Sequence, residues 1–124
     1  MRLDRRALGA IGEDSAAEFL EKKGWRIIER NWRKPWGEID LVCRDEEDRL
    51  VLVEVKAQKV LPGFIPEQHI DERKRYRLQR LAQAYLFTNP KIRGENFRID
   101  VVAVELSPQG EILQIRHHEG AIRA

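Results

Sequence analysis

Apolar residues recur at helical spacings from about residue 4 to residue 23, with Leu8, Ile11, Ala16, Phe19 and Leu20 forming one side. Gly24 is placed to end that helix in a left-handed conformation. Next, Trp25-Arg26-Ile27-Ile28-Glu29-Arg30 reads as a first strand, and residues 31–37, rich in Trp, Arg, Pro and Gly, read as a connection. Two strongly apolar strands follow over residues 38–44 and 50–57. The polar turn Asp45-Glu46-Glu47-Asp48-Arg49 between them is short enough for a hairpin. Such apolar strands are expected where both faces of a sheet are covered. Residues 58–66 carry Pro62, Gly63 and Pro66 and read as a loop. A second helix is predicted over residues 67–88, with Ile70, Leu78, Leu81, Ala82 and Tyr85 on its apolar side and Asn89-Pro90 as its stop. Strands over residues 97–105 and 111–117, joined by the turn Ser107-Pro108-Gln109-Gly110, complete the order α-β-β-β-α-β-β. The expected fold is α/β, a mixed central sheet flanked by helices, in one domain over residues 1–124.

Composition narrows the function classes only a little. Lys and Arg number 23 against 21 Asp and Glu, a net charge of +2, so any nucleic-acid footprint must come from local clustering. The lone Cys43 rules out an intramolecular disulfide and reads as a small buried hydrophobe rather than a nucleophile. No apolar run reaches the length of a membrane span, and the basic start Met1-Arg2-Leu3-Asp4-Arg5-Arg6 lacks the apolar stretch of a signal peptide. The expected location is the cytoplasm, with no membrane partner.

The informative charges stand where a core belongs. In Val51-Leu52-Val53-Glu54-Val55-Lys56, strand alternation puts Leu52, Glu54 and Lys56 on one face. In the preceding strand Asp40 and Val42 share a face. With the turn centred near Glu47, Val42 faces Leu52, Asp40 faces Glu54, and Glu38 faces Lys56. Two opposed carboxylates destabilise a sheet, and burying them unpaired forces one to take a proton. A divalent cation removes the conflict, because Mg2+ and Mn2+ prefer hard oxygen ligands. Lys56 would point into the same site and stabilise an oxyanion or orient a water. Glu13 sits on the apolar stripe of Gly9, Ala16, Ala17 and Leu20 and would add a third carboxylate. Each feature also has a plainer reading. Glu54 and Lys56 fit an exposed ion pair on an edge strand, and Glu13 fits a helix-boundary residue reaching solvent.

At these residues the chain resembles a known group. Glu13, Asp40 in Gly37-Glu38-Ile39-Asp40-Leu41-Val42, and Glu54-Val55-Lys56 look like the PD-(D/E)xK nuclease pattern of restriction endonucleases and archaeal Holliday-junction resolvases. Nearly the full length is similar to the YraN family of small bacterial nuclease-like proteins. The matching segments are Gly12-Glu13, Ala17-Glu18-Phe19-Leu20, Arg30-Asn31-Trp32-Arg33, Gly37 to Val42, Val53 to Lys56, and Ile99-Asp100-Val101-Val102-Ala103-Val104. The resemblance implies a restriction-endonuclease-like fold and Mg2+- or Mn2+-dependent hydrolysis of phosphodiesters in DNA, with branched or repair and recombination intermediates as substrates. It implies that Asp40, Glu54 and the backbone carbonyl of Val55 bind metal. Lys56 would be the catalytic lysine, and Glu13 would match the upstream acidic residue of the resolvases. Where relatives carry a basic residue two positions after the lysine, this chain has Gln58, with Lys59 as the substitute. Junction cutting needs two active sites, so a homodimer fits. The rival readings are a nucleic-acid-binding module without turnover and a protein-interaction subunit.

Further basic and aromatic residues lie around these segments. Arg73, Arg77 and Arg80, with Lys74 and Arg75 nearby, form a basic stripe on the second helix that suits phosphates or simply a solvated face. Trp32 and Trp36, near Arg33 and Lys34, suit base stacking or rim packing alike. His117, His118 and Glu119 read as a frayed tail rather than a metal site, because neighbouring strand residues point oppositely. Asp100, inside an apolar strand, is given no role.

Overall fold

A computed structural model describes residues 3–123. Helix α1 (Arg5–Lys22) opens at Asp4, whose side chain accepts from the Ala7 N–H and satisfies one of the free donors of the first turn. It ends before Gly24, which takes the expected left-handed conformation (φ 91°). Strands β1 (Arg26–Lys34), β2 (Gly37–Arg44), β3 (Leu50–Lys59), β4 (Phe97–Leu106) and β5 (Ile112–Ile122) form one sheet in the spatial order β1-β2-β3-β4-β5. All neighbours are antiparallel except β3 and β4, which run parallel. A parallel pair needs a crossover, and helix α2 (Glu72–Thr88) supplies it. The element order is the α-β-β-β-α-β-β of the sequence reading, an α/β architecture with a mixed central sheet flanked by helices.

Both faces of the sheet are covered. On one side, α1 buries Leu8, Ala16, Ala17 and Leu20 against Leu41, Cys43, Val51, Val53, Val102 and Val104. On the other, α2 buries Leu78, Leu81, Ala82 and Tyr85 against Ile39, Val42, Leu50, Leu52, Ile99 and Val101. Cys43 is fully buried and its thiol is pushed up to about 12, chiefly by desolvation, which makes it inert at neutral pH. None of the described helices is long and apolar enough to cross a membrane.

Several boundaries differ from the sequence reading, each for a local reason. β1 continues through Lys34, so the expected connection shrinks to Pro35 and Trp36. Trp32 packs edge-on against Tyr85 at 5.2 Å and so belongs to the packing of the sheet, whereas Trp36 is exposed. Helix α2 starts at Glu72 instead of residue 67. Residues Pro66–His69 form a separate 3-10 turn, and Asp71 begins the helix by accepting from the Lys74 N–H. The expected frayed tail is a correction of a different kind. β5 runs to Ile122, and His117 lies against β4, its Nε2 2.8 Å from the Asp100 carboxylate.

Asp100, given no role by the sequence, is fully buried and anchors this edge. Burial pushes its carboxyl up. Hydrogen bonds from His117, Arg98 and the Gly120 N–H outweigh that and hold it below the ordinary carboxylate range. A second anchor joins the 3-10 turn to β5. Glu67 accepts from Arg116 Nε at 2.6 Å and Nη2 at 2.8 Å, and His118 Nε2 lies 2.8 Å from it. The Arg116 hydrogen bonds are the main reason the Glu67 carboxyl is lowered from 4.5 to about 2. Its stabilisation is therefore present above pH 4.5 and lost as pH falls toward 2. Urea unfolding should show about 2 kcal/mol less stability from this source at the acid end, after solvent screening is allowed for. A Glu67→Gln variant should lose that part of the acid-side slope; an unchanged slope would mean that the anchor does not hold in solution.

Candidate metal centre

The centre lies where β2 and β3 part. Their ladder pairs Arg44 with Leu50, Cys43 with Val51, Val42 with Leu52 and Leu41 with Val53, the register read from the sequence, and then stops. Beyond it, the Asp40 side chain takes over the role of a ladder carbonyl. Its Oδ2 accepts the Val55 N–H at 2.7 Å. The alternation of β2 breaks here as well, since Ile39 and Val42, three positions apart, pack into the same α2-side cluster. Asp40 therefore does not simply share a face with Val42, and it meets acidic groups from both sides of the sheet.

Asp40 and Glu54 are each only 6% exposed, and Glu54 is near enough to push the Asp40 carboxyl up. From α1 comes Glu13, and from the start of β2 comes Glu38. One ligand oxygen from each of Glu13, Glu38 and Asp40 lies within 4.8 Å of the other two. Close approach of α1 makes this possible. A Cβ on Gly12 would fall 2.4 Å from the Cβ of Ala57 on β3, so only glycine lets the helix lie this low and set Glu13 beside Asp40. Asn31, at φ 53°, donates from Nδ2 to Glu13 Oε1 at 2.8 Å and orients it.

The electrostatics of the centre are unbalanced. Three carboxylates, those of Glu13, Glu38 and Glu54, crowd that of Asp40, making four in all. Against them stand two cations: Lys74 Nζ, 3.0 Å from Glu54 Oε2, and Arg33 Nε, 2.9 Å from Glu38 Oε2. Burial is the largest influence on Asp40, and contact with Glu54 and the charge of Glu13 add to it. These outweigh the Val55 N–H and push the Asp40 carboxyl far above its ordinary range. With no ion, the pair is reconciled by a proton held on Asp40. A divalent cation would displace that proton and bring the two missing positive charges. The donors are hard oxygens, the class Mg2+, Mn2+ and Ca2+ take, and oxygens around one such ion span about 4–5 Å. The residues present therefore fit a divalent metal.

The structure treats the sequence candidates unequally. It brings Glu13 and Asp40 together, whereas Glu54, which acts on the Asp40 carboxyl, lies outside the trio of oxygens that could share one ion. It adds Glu38, which the sequence register had set opposite Lys56; instead Glu38 pairs with Arg33 across β1 and β2. Its position two residues before Asp40 on the same strand was the available signal. Lys56 makes no ion pair among the described residues. It lines an open cleft of about 520 Å3 with Leu3, Arg5, Leu8, Ala57, Gln58 and Lys59. The Val55 N–H serves Asp40. Among the expected phosphate contacts, Lys74 turns inward to Glu54, and Lys34 Nζ lies 5.4 Å from the Trp32 ring centre. Arg73, Arg77 and Arg80 remain exposed on α2, Arg80 donating to the Tyr76 hydroxyl at 3.2 Å.

Comparison with known proteins agrees with the sequence resemblance. Residues 12–104 match the family described as "Uncharacterised protein family UPF0102". A UPF0102 protein of Moorella thermoacetica is 41% identical over 121 residues, covering 98% of this chain and 99% of the relative. Another, of Renibacterium salmoninarum, is 45% identical over 118 residues, covering 91% and 93%. Among solved structures, that of Pyrococcus furiosus SfsA in complex with Ca2+ matches with a TM-score of 0.47 and 18% identity, over 90% of this chain but only 63% of that one. With the family match spanning most of its length and such relatives aligned almost end to end, the chain belongs to the UPF0102 family.

Proposed function

We propose that this protein is a divalent-metal-dependent endonuclease that hydrolyses phosphodiester bonds in DNA, with branched or repair and recombination intermediates as its substrates. One observation carries the reading: Asp40 is buried among Glu13, Glu38 and Glu54 with too little positive charge to balance them. Structural acidic residues are normally paired off when buried. An acidic centre left short of charge, at a break between strands, is a place where an ion binds.

When bound, Mg2+ or Mn2+ would supply Lewis-acid polarisation of the phosphate and a water acidic enough to attack near neutral pH. The chain's own residues do the rest. Asp40 and Glu54 hold the ion, with Glu13 and Glu38 as further oxygen donors and the Val55 carbonyl beside them. Lys74 pairs with Glu54 and fixes its position. Lys56, with Arg5 and Lys59 in the adjoining cleft, binds the phosphate backbone, and its ammonium can swing to a developing oxyanion. Arg73, Arg77 and Arg80 add a sequence-independent phosphate track.

The test uses labelled single-stranded, duplex and four-way-junction DNA with Mg2+, with Mn2+ and with EDTA. Cleavage with either metal and none in EDTA is the expected outcome. Cleavage that continues in EDTA, or in an Asp40→Ala or Glu54→Ala protein, would overturn the proposal. A second reading, binding without turnover, is favoured by Lys56 lining the cleft and making no ion pair with the carboxylates among the described residues. It would appear as salt-sensitive DNA binding with intact strands under every metal condition.

A further inference from the structure

Just past Lys59 the chain exposes an unusual run of large apolar side chains. Val60 is 46% exposed, Leu61 49% and Ile65 40%. Such side chains on a loose loop would tend to fold back, but this loop is built. The Phe64 N–H donates to the Leu61 carbonyl at 3.1 Å, closing a turn with Pro62 and Gly63 at its centre, Gly63 at φ 71°. That is the chemistry of a type II turn, in which Pro presets the first central residue and Gly supplies the positive φ of the second. Phe64 stacks on His69 at 4.1 Å between ring centres, and the Val60 N–H donates to the Leu106 carbonyl at 2.9 Å, so both ends of the loop are held. A held turn keeps Val60 and Leu61 out in solvent.

What meets this tip is indicated by its surroundings. Lys59 precedes Val60 directly and shares the cleft with Arg5 and Lys56. The cleft, the tip and the acidic centre all draw on β3 or its immediate continuation, Glu54 first, then Lys56, Lys59 and Val60. An apolar point at the end of a row of cations complements a ligand with an anionic backbone and flat apolar faces inside it, which is a nucleic acid. Aliphatic wedges flanked by basic residues act on DNA by prising apart a base step, and unstacking costs least where pairing is already interrupted.

We infer that the Val60–Leu61 tip is a wedge that unstacks the terminal base pair at a branch or fork in DNA while Arg5, Lys56 and Lys59 hold the adjoining phosphates. The inference rests on the nuclease reading and specifies its substrate: a duplex end at a branch, engaged by insertion.

The experiment places 2-aminopurine at the branch of a forked oligonucleotide and, separately, inside a continuous duplex, with full-length protein in Ca2+. Fluorescence reports unstacking and needs no cleavage, and anisotropy on the same samples reports binding. The wild type should raise fluorescence severalfold on the fork and leave the duplex nearly unchanged. The double variant V60S/L61S should lose most of that rise and its preference for the fork, while binding continuous duplex within about twofold of the wild type. Both positions are exposed, and an unchanged melting temperature checks that the fold is intact. A variant that unstacks the fork as well as the wild type overturns the wedge. So does wild-type binding to the fork without any fluorescence rise, or a dimer in sedimentation that V60S/L61S converts to monomer, since the tip would then be an interface between copies. Absence of binding to any DNA would sink the nuclease reading itself and the wedge with it.

Discussion

Asp40→Asn should make the metal-free protein more stable and its cleavage activity negligible. In the absence of an ion, Asp40 is held protonated by burial and by the neighbouring Glu54. An asparagine reproduces that state without titrating. Its oxygen can accept the Val55 N–H and its amide can donate to Glu54, so no buried polar group is stranded. The folded wild type therefore retains a proton that the unfolded chain releases near the ordinary value of 3.8. This contribution to stability is fully present below that value and declines as pH rises toward the raised folded value, with a limiting slope of about 1.4 kcal/mol per pH unit. At pH 8 the variant should be more stable by about 2–3 kcal/mol, a gain capped by relaxation of the site, and its pH dependence should be flatter. Divalent metal should reverse the ranking. Mg2+ or Mn2+ should raise the melting temperature of the wild type by ligand linkage and leave the variant unmoved. Cleavage should fall by more than the roughly 10- to 100-fold that follows loss of an outer-shell partner of a metal. Calorimetric melting at pH 6 and 8, with Mn2+ and with EDTA, reads each of these. A variant less stable than the wild type in EDTA at pH 8 would mean that the acidic centre is balanced after all.

The second large effect is expected at Gly12, which has no side chain to bond or to carry charge. An alanine there would place its Cβ 2.4 Å from the Cβ of Ala57, too close for either atom to stay. Alanine favours a helix over glycine by about 1 kcal/mol, so an exposed position would gain from the change. Here the gain is overridden, because the obstacle is a strand residue and not the free end of a flexible side chain. Gly12→Ala should cost about 3 kcal/mol net, the upper part of the range for overpacked cores. Since α1 must rise or tilt, Glu13 should draw back from Asp40, and metal should bind more weakly. Ala57→Gly removes the obstructing atom. The double variant should recover much of the stability, giving a coupling energy of more than 1 kcal/mol between the two positions. Additive losses in chemical unfolding would show that α1 does not cross β3 at this point.

The two predictions draw on features of unequal legibility in the sequence. The hairpin register could be read because Val42, Cys43, Val51 and Leu52 are apolar on strands joined by a short turn, and the ladder follows it as far as Leu41 and Val53. Extending the same register to Glu38 and Lys56 failed because the strands separate at Asp40, whose side chain bonds to the Val55 backbone. Periodicity has no term for a carboxylate that replaces a ladder carbonyl. Glu13 was visible as an acid on an apolar stripe, whereas the reason it reaches the centre, contact between Gly12 and Ala57, is a matter of distance across the fold. Lys74 was seen only as one member of a basic run. Its inward turn is a contact with Glu54 across the fold, which helical spacing along one segment does not report. The C-terminal histidines looked like a polar tail because their partners, Asp100 and Glu67, are distant in the chain.

The strands lie side by side in the order in which they occur along the chain. During synthesis each new strand therefore emerges next to an edge that is already formed, and no gap has to be held open for a later arrival. The acidic residues Glu13, Glu38, Asp40 and Glu54 all leave the ribosome before Lys74 does. For that interval the growing hairpin carries its crowded negative charge with Arg33 against Glu38 but without the lysine that later steadies Glu54.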